Sequence, residues 1–332
     1  MREVRAAARD SAWSGLSRRL RAEAPGLVAK YRRLAPWVYV AAAGVLFAIF
    51  APDALNADSR AYFRAASDPS TMYSQHAVDM PGSYMYAPAF AQLLAPLDRL
   101  GWGVFYAAWY VLTAAALWWL AREWSPIVLF VPVVYLWSPP PLYLPVAMEL
   151  RVGNIQLLLS VAFALSFRWP ALWSLPLLTK PTLGVGLIWY VVRREWRNLA
   201  IALGATAAIT LVSVVLAPGL WHDWLAVLAD NANTASPNAF DAPFWFLPLL
   251  PRLVVAAGLI AWGARSNRRW TLIVGTLLAV PVLWRTAPVM LLGLLGLLRV
   301  APPQRPGQAP PVGHEGTHRC SEPPSCHRPW PG

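Results

Sequence analysis

From Ala35 to Val300 the sequence repeats one pattern: an apolar run, then a short break made of charge, proline or both. A bilayer core tolerates backbone only where its polar groups are satisfied internally, so such runs read as membrane-crossing helices. Each crossing needs roughly 17–25 residues, and the stretch is long enough for about ten. Charged residues make up 13% of the chain and hydrophobic ones 57%, whereas soluble domains carry about 25% charged residues. The pattern predicts an all-α integral membrane protein, a polytopic helical bundle with no length left for a separate soluble domain. Three parts follow: a basic cytoplasmic segment over 1–34, the membrane domain over 35–300, and a Pro-rich cytoplasmic tail over 301–332 that reads as disordered.

Charge orients the chain. Lys and Arg number 28 against 16 Asp and Glu, a net charge of +12. In a membrane protein this excess holds inner loops against anionic headgroups rather than marking a nucleic-acid partner. Residues 1–34 hold nine of the basic residues, and WSGLSRRLRAEAPGL has the spacing of an amphipathic helix on the inner surface. The long basic part and the lack of a small-residue cleavage site favour an uncleaved signal anchor over a cleaved leader. The first span, about Ala35 to Ala51, then delivers Pro52 to Gly101 outside as a large polar loop holding Asp53, Asp58, Asp68, Asp79 and Asp98.

Further spans are expected at Trp102–Ala121, at Pro126–Met148 interrupted by Pro139, Pro140 and Pro141, at Leu199–Ala217, Phe244–Ala264, Trp270–Trp284 and Thr286–Val300. Between them lie three short apolar pieces, Ile155–Phe167, Pro170–Leu178 and Thr182–Val192, which read as tilted, broken or re-entrant. A second polar loop, Pro218 to about Ala242, places Trp221 and Trp224 at helical spacing, as in an interfacial helix. Inner breaks then carry Arg122, Arg168, Arg193, Arg194, Arg197, Arg265, Arg268, Arg269 and Arg299. Outer ones carry most of the acids, together with Arg151, Lys180 and Arg285.

Ionisable groups near membrane depth invite a functional explanation. Asp58 sits in NADSRAYFRAAS just beyond the first span, with Tyr62 on the same helical face. A carboxylate there can take a proton from an acceptor hydroxyl; the plainer reading is an N-cap. In MELRVGNIQLLL, Arg151 and Asn154 open an apolar helix, a natural anion site, and Glu149 lies beside them. Lys180, in LLTKPTLG, falls at another break, and Arg285 follows Trp284 at a span end. For each cation alone, snorkelling to headgroups is the plainer reading. His222 reads as interfacial, and His76 is unconstrained by any spacing. The tail group His314, His318, Cys320, Cys326 and His327 fits no zinc spacing, and no phosphate loop or dinucleotide fingerprint appears. No metal and no cofactor is expected.

Taken in order, ADSRAYFRAA, YMYAPAFAQLLAPL, ELRVGNIQLLL, LLTKPTLGVGLIWYVVRREWR and PVLWR resemble glycosyltransferase family 87, the polyprenol-phosphate-mannose-dependent mannosyltransferases of GT-C membrane fold. The similarity runs over roughly Ala35 to Leu298. It implies inverting transfer of a hexose, usually mannose, from a polyprenyl-phosphate carrier to a lipid-linked or polysaccharide acceptor on the outer face of the cell membrane. Asp58 matches the family's catalytic aspartate, and Arg151 and Lys180 match basic positions near the carrier phosphate. Arg285, Tyr62, Glu149 and Asn154 are the further substrate-binding candidates. Where the family often has a late Trp followed closely by His, this chain has Trp284 followed by Arg285, Thr286 and Ala287. A lipid or sugar transporter, or an inactive scaffold of the same fold, are the alternatives; transporters usually place such charges mid-span, and no acid here falls clearly inside an apolar block.

Overall fold

The computed structural model describes residues 2–52, 57–74, 82–134, 142–233 and 248–300. Among them the protein is helical apart from one two-residue antiparallel strand pair. The expected tail and the residues Asp53, His76, Asp79, Pro139, Pro140, Pro141 and Asp241 lie outside the described residues.

Helix α1 (Arg2–Phe50) runs without a break from the basic segment into the first span, and its apolar part already begins at Ala24. Helix α2 (Ala57–Ser67) follows, then a 3₁₀ turn at Pro69–Thr71 capped by Asp68, then α3 (Pro88–Asp98) and α4 (Trp102–Ala121). The α4 bounds are those expected from the apolar run. Helices α1 and α4 are bound through reciprocal phenols: Tyr39 Oη donates to the Ala114 carbonyl at 2.6 Å, and Tyr110 Oη donates to the Ala43 carbonyl at 2.8 Å.

The expected helical span Pro126–Met148 is not a helix. A single turn, α5 (Ser125–Val128), gives way to strands β1 (Val133–Val134) and β2 (Leu142–Tyr143), with Val133 opposite Tyr143 and Val134 opposite Leu142. Pro132 removes a backbone donor and the valines favour extended backbone. Helix α6 (Pro145–Val152) starts on a proline at its first position and ends on Gly153, in the left-handed region at φ 70°. It meets α7 (Gln156–Ser166) at 107°.

The three short apolar pieces are found as expected. They are α7; a 3₁₀ turn Pro170–Trp173 leading into α8 (Ser174–Thr179); and the 3₁₀ stretch Pro181–Leu187 leading into α9 (Ile188–Val192). Helix α10 (Trp196–Leu216) is the most apolar of the long helices and leaves most of its surface uncovered, as a helix facing lipid does. Helix α11 (Pro218–Asn233) carries Trp221 and Trp224, whose rings meet edge to face at 5.3 Å. Helices α12 (Leu249–Arg265) and α13 (Trp270–Leu278) pack together, and Gly275 allows it, since a Cβ there would fall 2.5 Å from Ile260. Helix α13 stops six residues short of the expected Trp284, because Pro281 cannot continue a helix and restricts Val280 before it. A 3₁₀ stretch, Ala287–Leu292, leads into α14 (Gly293–Leu297).

Among the described residues three helices are long and apolar enough to cross a bilayer: Ala24–Phe50, Trp102–Val128 and Trp196–Leu216, with the bent α6–α7 pair as a fourth. Of the other expected crossings, in a count of about ten, Pro126–Met148 gives way to the strand pair and the rest correspond to shorter or broken helices. One end of α4 gathers cations: Arg32 pairs with Glu123 at 3.6 Å and Arg299 donates to the Trp119 carbonyl. At the other end, α2 packs on α4 through Phe63 against Trp102 and Phe105, with Arg60 5.0 Å over the Trp102 ring. Twenty helical residues, roughly 30 Å, separate the two ends.

Candidate functional site

Asp58 stands in the first turn of α2, and Tyr62, one turn later, lies on the same face. Both line a cavity of ≈ 280 Å³. Helix α2 reaches this position because the α6–α7 turn has no side chain to obstruct it. A Cβ on Gly153 would lie 2.7 Å from the Ser59 Cβ, and the Gly153 carbonyl accepts from Trp109 Nε1 at 2.7 Å. Strand β2, the turn at Asn154, the break at Lys180 and the irregular run 280–286 supply most of the remaining wall.

Three polar wall residues, Asn154, Lys180 and Arg285, sit where a helix is interrupted. Asn154 follows the left-handed Gly153, and its Oδ1 accepts from Ile155 N at 2.7 Å. That leaves the amide group to donate to Asp58. Lys180 is extended, at φ −139° and ψ 82°, because Pro181 follows it; its backbone N–H still donates to the Pro176 carbonyl at 2.8 Å. Arg285, 5% exposed, follows the Pro281 break, with its guanidinium 5.3 Å over the Tyr143 ring. The phenols of Tyr62 and Tyr86 meet at 3.1 Å on the wall beside Asp58.

Asp58 is half-buried and lines this cavity. Burial pushes its carboxyl up to about 6, while the Lys180 ammonium and the Asn154 hydrogen bond hold it back from going higher. The carboxylate is thus neutral in mildly acidic conditions and charged at neutral pH. Of the other acids of Pro52–Gly101 within the described residues, Asp68 is spent on the 3₁₀ turn, where it accepts from Ser70 Oγ at 2.6 Å and Thr71 Oγ1 at 2.9 Å. Among the described residues no three His, Cys, Asp or Glu converge in a metal-binding group.

The structure brings Asp58, Tyr62, Asn154, Lys180 and Arg285 to one cavity. Two other sequence candidates are placed differently. Glu149 is fully buried beneath the cavity wall, where Oε1 accepts from Gln156 N at 2.9 Å and caps α7. Arg151 is not among the residues lining the cavity; its guanidinium lies 5.9 Å over the Phe50 ring at the end of α1. Two residues apart on one helix, Glu149 and Arg151 point to nearly opposite sides.

Sequence reasoning missed Tyr86, Tyr143 and Thr286 on the wall. Tyr86 lay within the quoted YMYAPAF motif without a role, and Tyr143 lay inside the stretch taken for a helix. It also missed Arg252, which is 8% exposed within α12 and donates to the carbonyls of Leu278, Val280 and Pro281. The signal was a single charge interrupting LLPRLVVAAG.

Compared with known proteins, the chain matches the model of glycosyltransferase family 87 over residues 84–302. The matched stretch includes Tyr86, Asn154, Lys180 and Arg285, and begins beyond Asp58 and Tyr62. No curated protein and no solved structure matches.

Proposed function

Because this chain belongs to glycosyltransferase family 87, we propose that it moves a hexose, mannose in the first instance, from a polyprenyl-phosphate carrier to a hydroxyl of a lipid-linked or polysaccharide acceptor. The reaction is assigned to the extracytoplasmic side of the cell membrane. Its support there is the separation of the cavity from the Arg32, Arg122 and Arg299 end of the bundle by the length of α4.

The observation that carries the reading is the sharing of one cavity by Asp58, Lys180 and Arg285. In the proposed reaction Asp58, charged at neutral pH, accepts the proton of the acceptor hydroxyl. The hydroxyl oxygen forms a bond to the anomeric carbon as the bond from that carbon to the phosphate oxygen breaks. The electron pair leaves with the carrier, and the configuration inverts. Lys180 and Arg285 stand where the growing phosphate charge needs offsetting, and preorganised cations in a water-poor site contribute strongly to such steps. Leu228, Val280 and Val282 supply apolar wall for the first isoprene units, and Asn154 orients the base.

The test incubates purified protein with labelled polyprenyl-phosphate mannose and membrane lipid extract, beside D58A. Transfer by the parent and none by D58A supports the reading. Equal label in both defeats the role given to Asp58, and no transfer from any polyprenyl-phosphate sugar defeats the donor assignment.

A further inference from the structure

Arg252 interrupts an apolar helix with a charge, and a cation only 8% exposed demands an explanation. It does not line the cavity. Its Nη1 donates to the Leu278 carbonyl at 3.0 Å and the Val280 carbonyl at 2.7 Å, and its Nη2 donates to the Pro281 carbonyl at 2.7 Å. These oxygens belong to the end of α13 and to the break beyond it, where the final carbonyls of a helix lack intrahelical partners. In apolar surroundings unsatisfied carbonyls are costly, and a planar guanidinium can serve several at fixed angles where a lysine cannot.

The same backbone continues into the cavity wall. Val280, Pro281 and Val282 line it, and Trp284, Arg285 and Thr286 follow. We infer that Arg252 is a positioning residue: by gripping the 278–281 backbone it sets where Arg285 stands against Tyr143 and meets the phosphate of the carrier. This rests on the reading of the cavity as the donor site. Arg252 acts from behind the wall, and the substrate touches Arg285.

The test compares wild type, R252K, R285M and the double variant R252K/R285M. It measures polyprenyl-phosphate binding in detergent micelles, thermal melting, and backbone hydrogen exchange. R252K is expected to lower affinity roughly 10- to 100-fold, as small misplacements in preorganised sites do. Its exchange should speed up within 278–286 only, with melting little changed. In the R285M background the lysine substitution should cost nothing further, because the effect passes through Arg285. Should R252K resist purification, R252Q keeps a planar donor group and takes its place. Wild-type affinity in the folded variant, faster exchange throughout α12 and α13, or full additivity with R285M would each overturn the inference and leave the donor reading intact. A wild-type protein that ignores polyprenyl phosphate overturns the donor reading and this inference with it.

Discussion

Asp58 and Lys180 line one cavity, although one residue precedes the second long helix and the other lies in a break well beyond it. Burial raises the Asp58 carboxyl to about 6, and Lys180 opposes that rise. Burial makes the carboxylate a stronger proton acceptor than a surface aspartate, and Lys180 helps keep it charged at neutral pH.

A pH profile follows. If Asp58 must be ionised to act, kcat/KM for transfer rises with pH and levels above about 6, falling roughly tenfold per unit on the acid side. K180M removes the opposing influence, so the limb moves to higher pH. A profile flat from pH 4.5 to 8 in the wild type would exclude Asp58 as the base.

Stability runs the other way. A carboxyl whose folded value lies above its ordinary 3.8 contributes stability that is full below that value and is lost as pH rises through about 6. The contribution is at most about 3 kcal/mol. Thermal melting of the wild type should drop between pH 4 and 7, and D58N should flatten that drop. Parallel melting curves in the two proteins would contradict the burial of this carboxyl.

Replacing the base tests chemistry apart from binding. D58N keeps the shape of the side chain and removes its proton-accepting charge, so transfer should fall about 10²–10⁴-fold. Affinity for polyprenyl phosphate should persist. A D58N protein that lost donor binding as severely as transfer would point to Asp58 as a structural support.

The Gly153 turn is a packing test. G153A puts a Cβ 2.7 Å from the Ser59 Cβ and asks alanine to hold φ 70°. The backbone part costs about 1–2 kcal/mol, and the clash adds to it by pushing α2, and Asp58 with it, away from Asn154. S59G removes the clashing atoms and should restore activity to G153A more fully than it restores melting temperature. If S59G rescued neither, close docking of α2 on this turn would not be what places Asp58.

Much of the frame was legible because membrane helices write their boundaries in charge and proline. Trp102–Ala121 and the three short apolar pieces are present as read. The site was partly legible for the same reason: Lys180 and Arg285 stand at breaks that prolines announce. What failed depended on geometry that spacing does not carry. Arg151 was read with Lys180 as a phosphate site, and spacing could not show that α6 turns Arg151 toward Phe50 while Lys180 lines the cavity. The helix expected over Pro126–Met148 became a strand pair, because apolar composition alone does not choose between helical and extended backbone. Arg252 was passed over because its partners are main-chain oxygens, which no side-chain pattern marks.

The crossed phenols of Tyr39 and Tyr110 bear on how the chain is made. Inserted alone, α1 would carry the Tyr39 hydroxyl into hydrocarbon with no carbonyl of a neighbour to receive it. The arrival of α4 mates both hydroxyls at once and fixes the rotation of each helix about its axis. The two ends of the Asp58 segment are thereby tethered in register by bonds that α1 and α4 make with each other alone.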